Sequence, residues 1–227
     1  AFDLTLQNEG GGSAGIDLAA GLNMPGRLLT LATAGPLSSV GPIIADELLV
    51  RGGAATSVSL NDPLNSVSRL AVDPPASFSF VNSGPLMLGP ISALGFSTST
   101  NAVQVLSATD STAFGNFFVR TLAGSLTLNQ DVTTLDAGSS IDLVAATTFN
   151  NLGGTLTPGA GGVWRVWAST WVGEERGGLV PTFPMPNLYD CTYGSSGCPV
   201  GVAAASSGGH FIYADRPTIT VIADDKR

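Results

Sequence analysis

The chain has 227 residues, of which 44% are hydrophobic and only 11% are charged, and its formal net charge is −8. This composition excludes a highly charged disordered tail and a coiled coil, because disorder goes with low hydrophobicity and coiled coils need charged heptads. Lys226 is the single lysine and His210 the single histidine. We therefore expect no nucleic-acid binding, which needs clustered cations, and few routes to acid–base or metal chemistry.

Short apolar or alternating runs follow one another along the chain, separated by Gly, Pro, Asn and Ser. Helix signals are nearly absent, because no apolar stripe with a 3.6-residue period is sustained. The runs therefore predict an all-β fold. In chain order they are 28–31, 47–50, 56–60, 69–72, 77–80, 85–88, 103–106, 117–119, 125–128 and 140–143.

The spacing of apolar residues indicates which all-β fold is formed. Apolar positions recur at intervals near 20 residues, which predicts a solenoid with three short strands and three turns in each coil. Residues 1–165 would then form about eight coils whose strands stack in parallel about 4.8 Å apart. A sandwich or jelly roll, the alternative, would show turns every ~8–12 residues instead. The recurring pairs are Leu29–Leu49, Leu49–Leu70, Leu70–Leu88, Val58–Phe78, Leu60–Phe80, Leu106–Leu126, Leu126–Val144 and Val144–Trp164.

No membrane-spanning segment is expected. The stretch from Pro74 to Thr109 carries no charge, but prolines interrupt it and Ser and Asn fill it, so it is not the run of about 20 apolar residues that a span needs. The first residues also lack the basic and apolar regions of a signal peptide. This does not exclude secretion, because the chain can be a mature or excised fragment.

The last part of the chain, 166–227, differs in composition from the predicted rod over 1–165. Eight of the 16 aromatic residues follow position 160. The segment 174–209 is rich in proline and glycine, so we expect a long excursion that packs its aromatic side chains against the rod. The chain would return as a strand at 210–213 and add another at 217–223. Residues 224–227 resemble an exit linker.

Two cysteines, Cys191 and Cys198, are separated by six residues, two of them glycine. This spacing closes easily into a small loop and favours a disulfide in an oxidising compartment. Free thiols are the main alternative. Zinc is disfavoured because four ligands are needed and only His210 is near in sequence.

A series of motifs in the C-terminal half resembles the filamentous-haemagglutinin-like exoproteins of bacterial two-partner secretion. The resemblance covers residues 120–227 well and residues 40–120 as a general pattern. The motifs are Phe149-Asn150-Asn151, Gly154-Thr155-Leu156, Gly162-Val163-Trp164, Gly177-Gly178-Leu179, Tyr189-Asp190-Cys191-Thr192-Tyr193-Gly194, Gly209-His210-Phe211-Ile212-Tyr213 and Thr220-Val221-Ile222-Ala223-Asp224-Asp225-Lys226.

The resemblance implies a fold, a location and a role. In such exoproteins the series closes a right-handed parallel β-helix, and small β-rich repeats often follow it. It implies a secreted or cell-surface rod used in adhesion, biofilm or filament building. The chain departs from the family in lacking an N-terminal secretion domain and an Asn-Pro-Asn secretion motif, so it does not itself show an export route.

Candidate catalytic residues are few, and each has a structural interpretation. Residues 11–15 match Gly-x-Ser-x-Gly, but a strand-like run follows where a nucleophile elbow needs a helix. His210 precedes an apolar run, which favours a packed or surface role over that of a base. Polysaccharide-degrading β-helix enzymes need paired carboxylates, for which 174–176 is the densest acidic run, yet solvated charge is the simpler interpretation. We expect no enzyme activity, cofactor or metal.

Aromatic residues of the C-terminal region are the best candidates for ligand contacts. Alternation along the strand places Trp164, Val166 and Ala168 on one face, which we expect to be core, and Trp167 and Trp171 on the other. Aromatic rings stack on sugars, so a glycan- or host-protein-binding adhesin is the alternative to a purely structural module. The candidate contacts are Trp167, Trp171, Tyr189 and Tyr193.

The main function expected is mechanical. A solenoid ends in strand edges that invite further pairing, and no polar cap is obvious at either end. We therefore expect the rod to continue into adjacent β-rich domains of the same polypeptide or to dock head-to-tail with copies of itself. The low charge also permits side-by-side bundling.

Overall fold

The fold is a parallel β-solenoid of about 8 turns, as the spacing predicts, and each coil has about 23 residues rather than the ~20 expected. The computed structural model describes residues 2–9, 15–182, 184–196, 198 and 207–218. The described part contains only strands and irregular segments, and no helix that could cross a lipid bilayer is found in it. The strands are β1 (Leu4–Asn8), β2 (Ile16–Leu18), β3 (Leu22–Thr33), β4 (Leu37–Ser39), β5 (Ile43–Arg51), β6 (Ser57–Leu60), β7 (Ser66–Asp73), β8 (Ser77–Asn82), β9 (Leu86–Leu88), β10 (Ile91–Ser97), β11 (Ala102–Ala108), β12 (Ser111–Ala113), β13 (Phe117–Thr121), β14 (Leu126–Leu128), β15 (Val132–Thr134), β16 (Ile141–Val144), β17 (Phe149–Asn151), β18 (Leu156–Thr157), β19 (Val163–Ala168), β20 (Asn187–Leu188) and β21 (Gly208–Tyr213).

Three parallel sheets form the wall of the solenoid. The largest has nine strands in the order β2-β4-β6-β8-β13-β16-β19-β21-β20, and a second has seven in the order β1-β3-β5-β7-β9-β14-β17. In the later coils a third sheet, β12-β15-β18, forms the remaining face. It continues the wall begun by β7, because the Ser111 hydroxyl accepts a hydrogen bond from the backbone N–H of Val72.

Alternation of small polar and large apolar residues directs the apolar side chains inward. In β8 and β13, Phe78, Phe80 and Phe117 are buried, and the rings of Phe78 and Phe117, which are register partners, stack 5.2 Å apart. The predicted pairs Val58–Phe78 and Leu60–Phe80 are also register partners. The interior is therefore a stack of aligned apolar layers, as the 20-residue recurrence predicts.

Several predicted alignments are wrong. Leu29 pairs with Leu48, and Leu48 in turn pairs with Leu70, so the predicted Leu49 is off by one residue. The cause is that Leu49 is buried on the outer face of the sheet, where it packs against Leu106 of the hairpin described below. The predicted Leu106–Leu126, Leu126–Val144 and Val144–Trp164 pairs are wrong as well, because their members lie in different sheets or in different registers.

Buried asparagines hold the corners between coils. Asn65, Asn82 and Asn151 are all at most 2% exposed. The Asn65 side chain accepts from the backbone N–H of Ile43 and donates to the carbonyl oxygens of Leu60 and Val81. Each side chain therefore replaces hydrogen bonds that the backbone gives up where it turns, which a buried corner requires.

One segment leaves the parallel winding. Strands β10 and β11 form an antiparallel hairpin in which Ile91 is opposite Ala108 and Ser97 is opposite Ala102. The inner face of the hairpin packs on the outside of the seven-stranded sheet, over Ala32, Leu49 and Ala71. The run predicted at 103–106 is thus a strand, but it is not part of a coil.

The solenoid continues past the boundary placed after residue 165. Strand β19 crosses that position, and β21 pairs along it from Gly208 to Tyr213 as the next parallel strand. The segment between them is the expected excursion, and it returns as the expected strand at 210–213. Most of the strand predicted over 217–223, the linker over 224–227 and positions 11–14 of the Gly-x-Ser-x-Gly match lie outside the described residues.

Candidate functional site

Two ladders of side chains run across the outer face of the nine-stranded sheet near its C-terminal end. Because successive strands are in register, residues at equal positions stack one above the other. The first ladder is Phe118, Asp142, Arg165 and His210, and the second is Arg120, Val144, Trp167 and Ile212. This face therefore brings aromatic, acidic and basic side chains together on one surface patch.

An ion pair joins two members of the first ladder. The Arg165 guanidinium contacts both carboxylate oxygens of Asp142, Nε to Oδ1 at 2.6 Å and Nη2 to Oδ2 at 2.7 Å. The hydrogen bonds that Arg165 donates to Asp142 raise the pKa of Arg165, against the opposing effect of burial. The Trp167 indole N–H lies 3.4 Å from Asp142 Oδ1, so the carboxylate also orients this ring.

The predicted disulfide is confirmed, and it closes a loop that lies over these ladders. Cys191 and Cys198 are bonded, with their Cα atoms 4.6 Å apart. The Cys191 N–H donates to the carbonyl oxygen of Tyr213, which ties the loop to β21. A disulfide is consistent with a non-cytoplasmic, oxidising compartment.

Tyr193, inside the disulfide loop, meets the ladders through its ring. It contacts Trp167 edge-on at 5.3 Å and Phe118 at 5.6 Å, and the Arg120 guanidinium lies 5.4 Å from its centroid. Partial burial and the nearby Asp142 carboxylate raise the pKa of Tyr193 above its ordinary value. The Tyr193 hydroxyl therefore stays protonated and neutral at physiological pH.

A groove of about 190 Å³ lies between the disulfide loop and the sheet. Arg120, Trp167 and Tyr193 line it, together with small residues such as Ala146 and Ser169. It is smaller than the ~300–1,000 Å³ typical of pockets for drug-sized ligands. A groove of this size has room for about one ring or one charged group.

The four predicted ligand contacts fall into two pairs in different places. Trp167 and Tyr193 border the groove. Trp171 and Tyr189 instead contact each other at 5.2 Å and pack over the end of the apolar interior, against the buried Tyr213. Aromatic composition alone did not distinguish a ring that lines a groove from a ring that closes the core.

The end of the interior is closed by a charged cap. The Glu174 carboxylate, 7% exposed, accepts hydrogen bonds from the Tyr213 hydroxyl at 2.7 Å and from Arg176 Nε at 2.5 Å. The Arg176 guanidinium in turn lies 4.1 Å from the centroid of the Phe211 ring. Burial raises the pKa of Tyr213 far above its ordinary value, with Glu174 adding to the effect. The expectation that neither end has a polar cap is therefore wrong at this end.

The expected structural role of His210 agrees with its position. The side chain is 4% exposed, with Nδ1 and Nε2 each 2.8 Å from the carbonyl oxygens of Met185 and Ser207. A neutral imidazole can donate to one of these oxygens and a protonated one to both. The ring thus holds the excursion onto β21 on both sides.

The sequence offered weak signals for the groove and for the cap. Tyr193 meets Trp167 only because the disulfide loop folds back across 26 positions, and Glu174 meets Tyr213 across 39.

Among the described residues no cluster of His, Cys, Asp and Glu is arranged to hold a metal ion. Comparison of the chain with family models, curated proteins and solved structures gives no match.

Proposed function

We propose that the chain is a non-enzymatic structural module of a secreted or surface-exposed bacterial fibre or adhesin, which extends end to end through its first coil. One observation carries the proposal: within the described residues the outer edge of β1 is unpaired in front of the apolar interior, whereas Glu174, Arg176 and Tyr213 close the interior at the other end. The family resemblance of the C-terminal motifs adds the expectation of a cell-surface rod.

The open edge belongs to β1, which is the outermost strand of the seven-stranded sheet. Within the described residues no strand pairs with its outer edge, and its inward side chains, Leu4 and Leu6, are only half-buried against the core. An unpaired parallel edge with apolar residues behind it is a template for one more coil. The occupant would be an adjacent β-rich part of the polypeptide or another copy of the chain.

The backbone of Thr5 faces outward from this edge. The Asn8 carbonyl accepts a hydrogen bond from Ala34 on the β3 side. Because backbone groups of successive strand residues point alternately to the two sides, those of Leu6 also face β3, and those of Thr5 face the open side. Thr5 therefore carries the N–H that an added strand would use.

The test compares Thr5→Pro with Thr5→Val in the otherwise unchanged chain. Proline removes the outward N–H, whereas valine keeps it and removes only the hydroxyl. We expect the parent and Thr5→Val to form linear multimers at high concentration in electron micrographs, and Thr5→Pro to stay unextended. Equal multimer lengths for the two variants would overturn the proposal, and a parent chain that forms no multimers would exclude another copy of the chain as the occupant of this edge.

A glycan-binding adhesin is the second candidate, and the groove beside Trp167 and Tyr193 favours it. An aromatic wall next to the Arg120 guanidinium suits a sugar ring that carries a carboxylate or sulfate. We expect Arg120→Gln to abolish binding to acidic polysaccharides, while Arg69→Gln, on another face, leaves it intact. Absence of binding by the parent chain on an array of acidic and neutral glycans would refute this candidate.

A further inference from the structure

The hairpin β10–β11 presents an apolar face that nothing in the described chain covers. Alternation along its strands turns Leu94, Phe96, Val103 and Val105 outward, and these side chains are 65%, 48%, 68% and 64% exposed. Leu94 lies opposite Val105, and Phe96 lies opposite Val103, so the four form two adjacent cross-strand pairs. The result is a continuous patch rather than scattered exposed residues.

The patch is also free of charge. The hairpin, 91–108, contains no Asp, Glu, Lys or Arg, although the whole chain has a net charge of −8. The four side chains expose on the order of 400 Å² of apolar surface, within the range in which the largest patch of a soluble protein is often functional. A neutral face on an acidic chain is where two such chains meet with least repulsion.

Side chains of the first strand and of Glu9, which follows it, hold the hairpin in place. The Thr5 hydroxyl donates to the carbonyl oxygen of Leu94 at 2.8 Å, and the Gln7 side-chain oxygen accepts from the N–H of Phe96 at 3.2 Å. Glu9 accepts from both the N–H and the hydroxyl of Thr98, at 2.7 and 2.6 Å. These contacts cover the free edge of β10, so the hairpin offers its face, rather than this edge, to a partner.

We propose that two copies of the chain associate side by side through the outer faces of this hairpin, related by a two-fold axis. The inference rests on the proposed role as a fibre module, and it adds a lateral contact to the axial one. A two-fold axis makes the contact self-complementary, so the four apolar side chains of one copy meet the same four of the other.

The size of the patch sets the strength of the contact. Each copy contributes on the order of 400 Å², about half of the ~800 Å² per partner in a standard stable interface. Isolated chains therefore form a weak, concentration-dependent dimer. Rods joined end to end repeat the contact once per module, and such multivalency converts weak pairing into stable bundles.

The test uses sedimentation equilibrium of the Val103→Thr/Val105→Thr double variant up to the millimolar range. Its matched control is Val40→Thr/Val180→Thr, because those valines are 75% and 81% exposed on other parts of the surface. We expect the hairpin variant to weaken dimerisation about tenfold and the control to leave it unchanged. Added salt should strengthen the parent dimer, because it screens the net charge.

Three results would overturn the inference: a parent chain that stays monomeric, equal dimerisation of both double variants, or a dimer that dissociates in salt. Circular dichroism of each variant establishes that the solenoid is intact. Thr5→Pro and Thr5→Val both lose the hydroxyl that bonds to Leu94, so a comparison of these two variants separates the lateral contact from the axial one. We expect the two variants to dimerise laterally to the same extent and only Thr5→Pro to lose linear extension, so either proposal can fail without the other.

Discussion

Replacement of Asn82 by alanine tests the idea that corner asparagines hold the coils together. Asn82 Oδ1 accepts from the N–H of Val67 at 2.9 Å. Its Nδ2 donates to the carbonyl oxygens of Val67, Gly84 and Pro85 at 3.0 to 3.2 Å. The side chain is 1% exposed, so water cannot replace these partners.

The magnitude follows from the groups left without partners. An unsatisfied buried donor or acceptor costs about 1–3 kcal/mol. Asn82→Ala leaves one buried N–H without an acceptor and three carbonyl groups without this donor, so we expect the free energy of unfolding to fall by about 3–5 kcal/mol. Asn82→Asp keeps the acceptor for Val67 but faces a carboxylate towards the three carbonyl oxygens, and it should cost at least as much.

Urea denaturation measures the loss, and Asn61 supplies the control. Asn61 is exposed and its side chain bonds to the hydroxyls of Ser59 and Ser79, so Asn61→Ala should cost at most ~0.5 kcal/mol. Hydrogen exchange at the Val67 amide gives a local readout, which should lose protection in the Asn82 variants alone. Equal costs for Asn82→Ala and Asn61→Ala would refute the reasoning.

Three further predictions concern the core, the hairpin and the disulfide loop. Phe117→Ala should lower the free energy of unfolding, measured by denaturation, by about 3–5 kcal/mol, because removal of a fully buried ring leaves a cavity. A loss no larger than that of a substitution at an exposed position would contradict this. Hydrogen bonds from the Thr98 side chain and N–H hold the pKa of Glu9 below its ordinary value of 4.5. The ionised Glu9 carboxylate therefore stabilises the hairpin above pH 4.5, and this stabilisation is lost as the pH falls through the lowered pKa. Hydrogen-exchange protection of the Thr98 amide, corrected for the pH dependence of intrinsic exchange, should fall over that range, and unchanged protection would refute this prediction. Replacing Cys191 and Cys198 with serine should cost about 2–3 kcal/mol and alter tryptophan fluorescence, whereas an unaltered spectrum would show that the bond does not position the loop.

The period of the sequence was sufficient to predict the solenoid, but it could not fix the register everywhere. Val58 and Phe78 align because each is flanked by small polar residues that mark the outer face. Leu49 misleads, because the hairpin buries it on the outside and gives it the same apolar signature as an interior residue. A one-residue error reverses every side chain, so local composition cannot resolve such a strand.

Antiparallel pairing and tertiary sites were beyond the reach of the sequence for a related reason. The run at 103–106 alternates as a coil strand would, and alternation does not encode the direction of the neighbouring strand. The disulfide was predictable because Cys191 and Cys198 are local in sequence. Contacts of Tyr193 with Trp167, and of Glu174 with Tyr213, depend on where an irregular excursion returns, and no local pattern specifies that.

Stacked laps have a mechanical consequence for a molecule under tension. The backbone hydrogen bonds between coils run along the long axis, so a force that pulls the two ends apart breaks the bonds of one coil at a time instead of those of many coils together. Each coil that detaches has about 23 residues and adds roughly 80 Å of extended chain. The protein would therefore lengthen in steps of one coil under load, while the remaining coils stay folded.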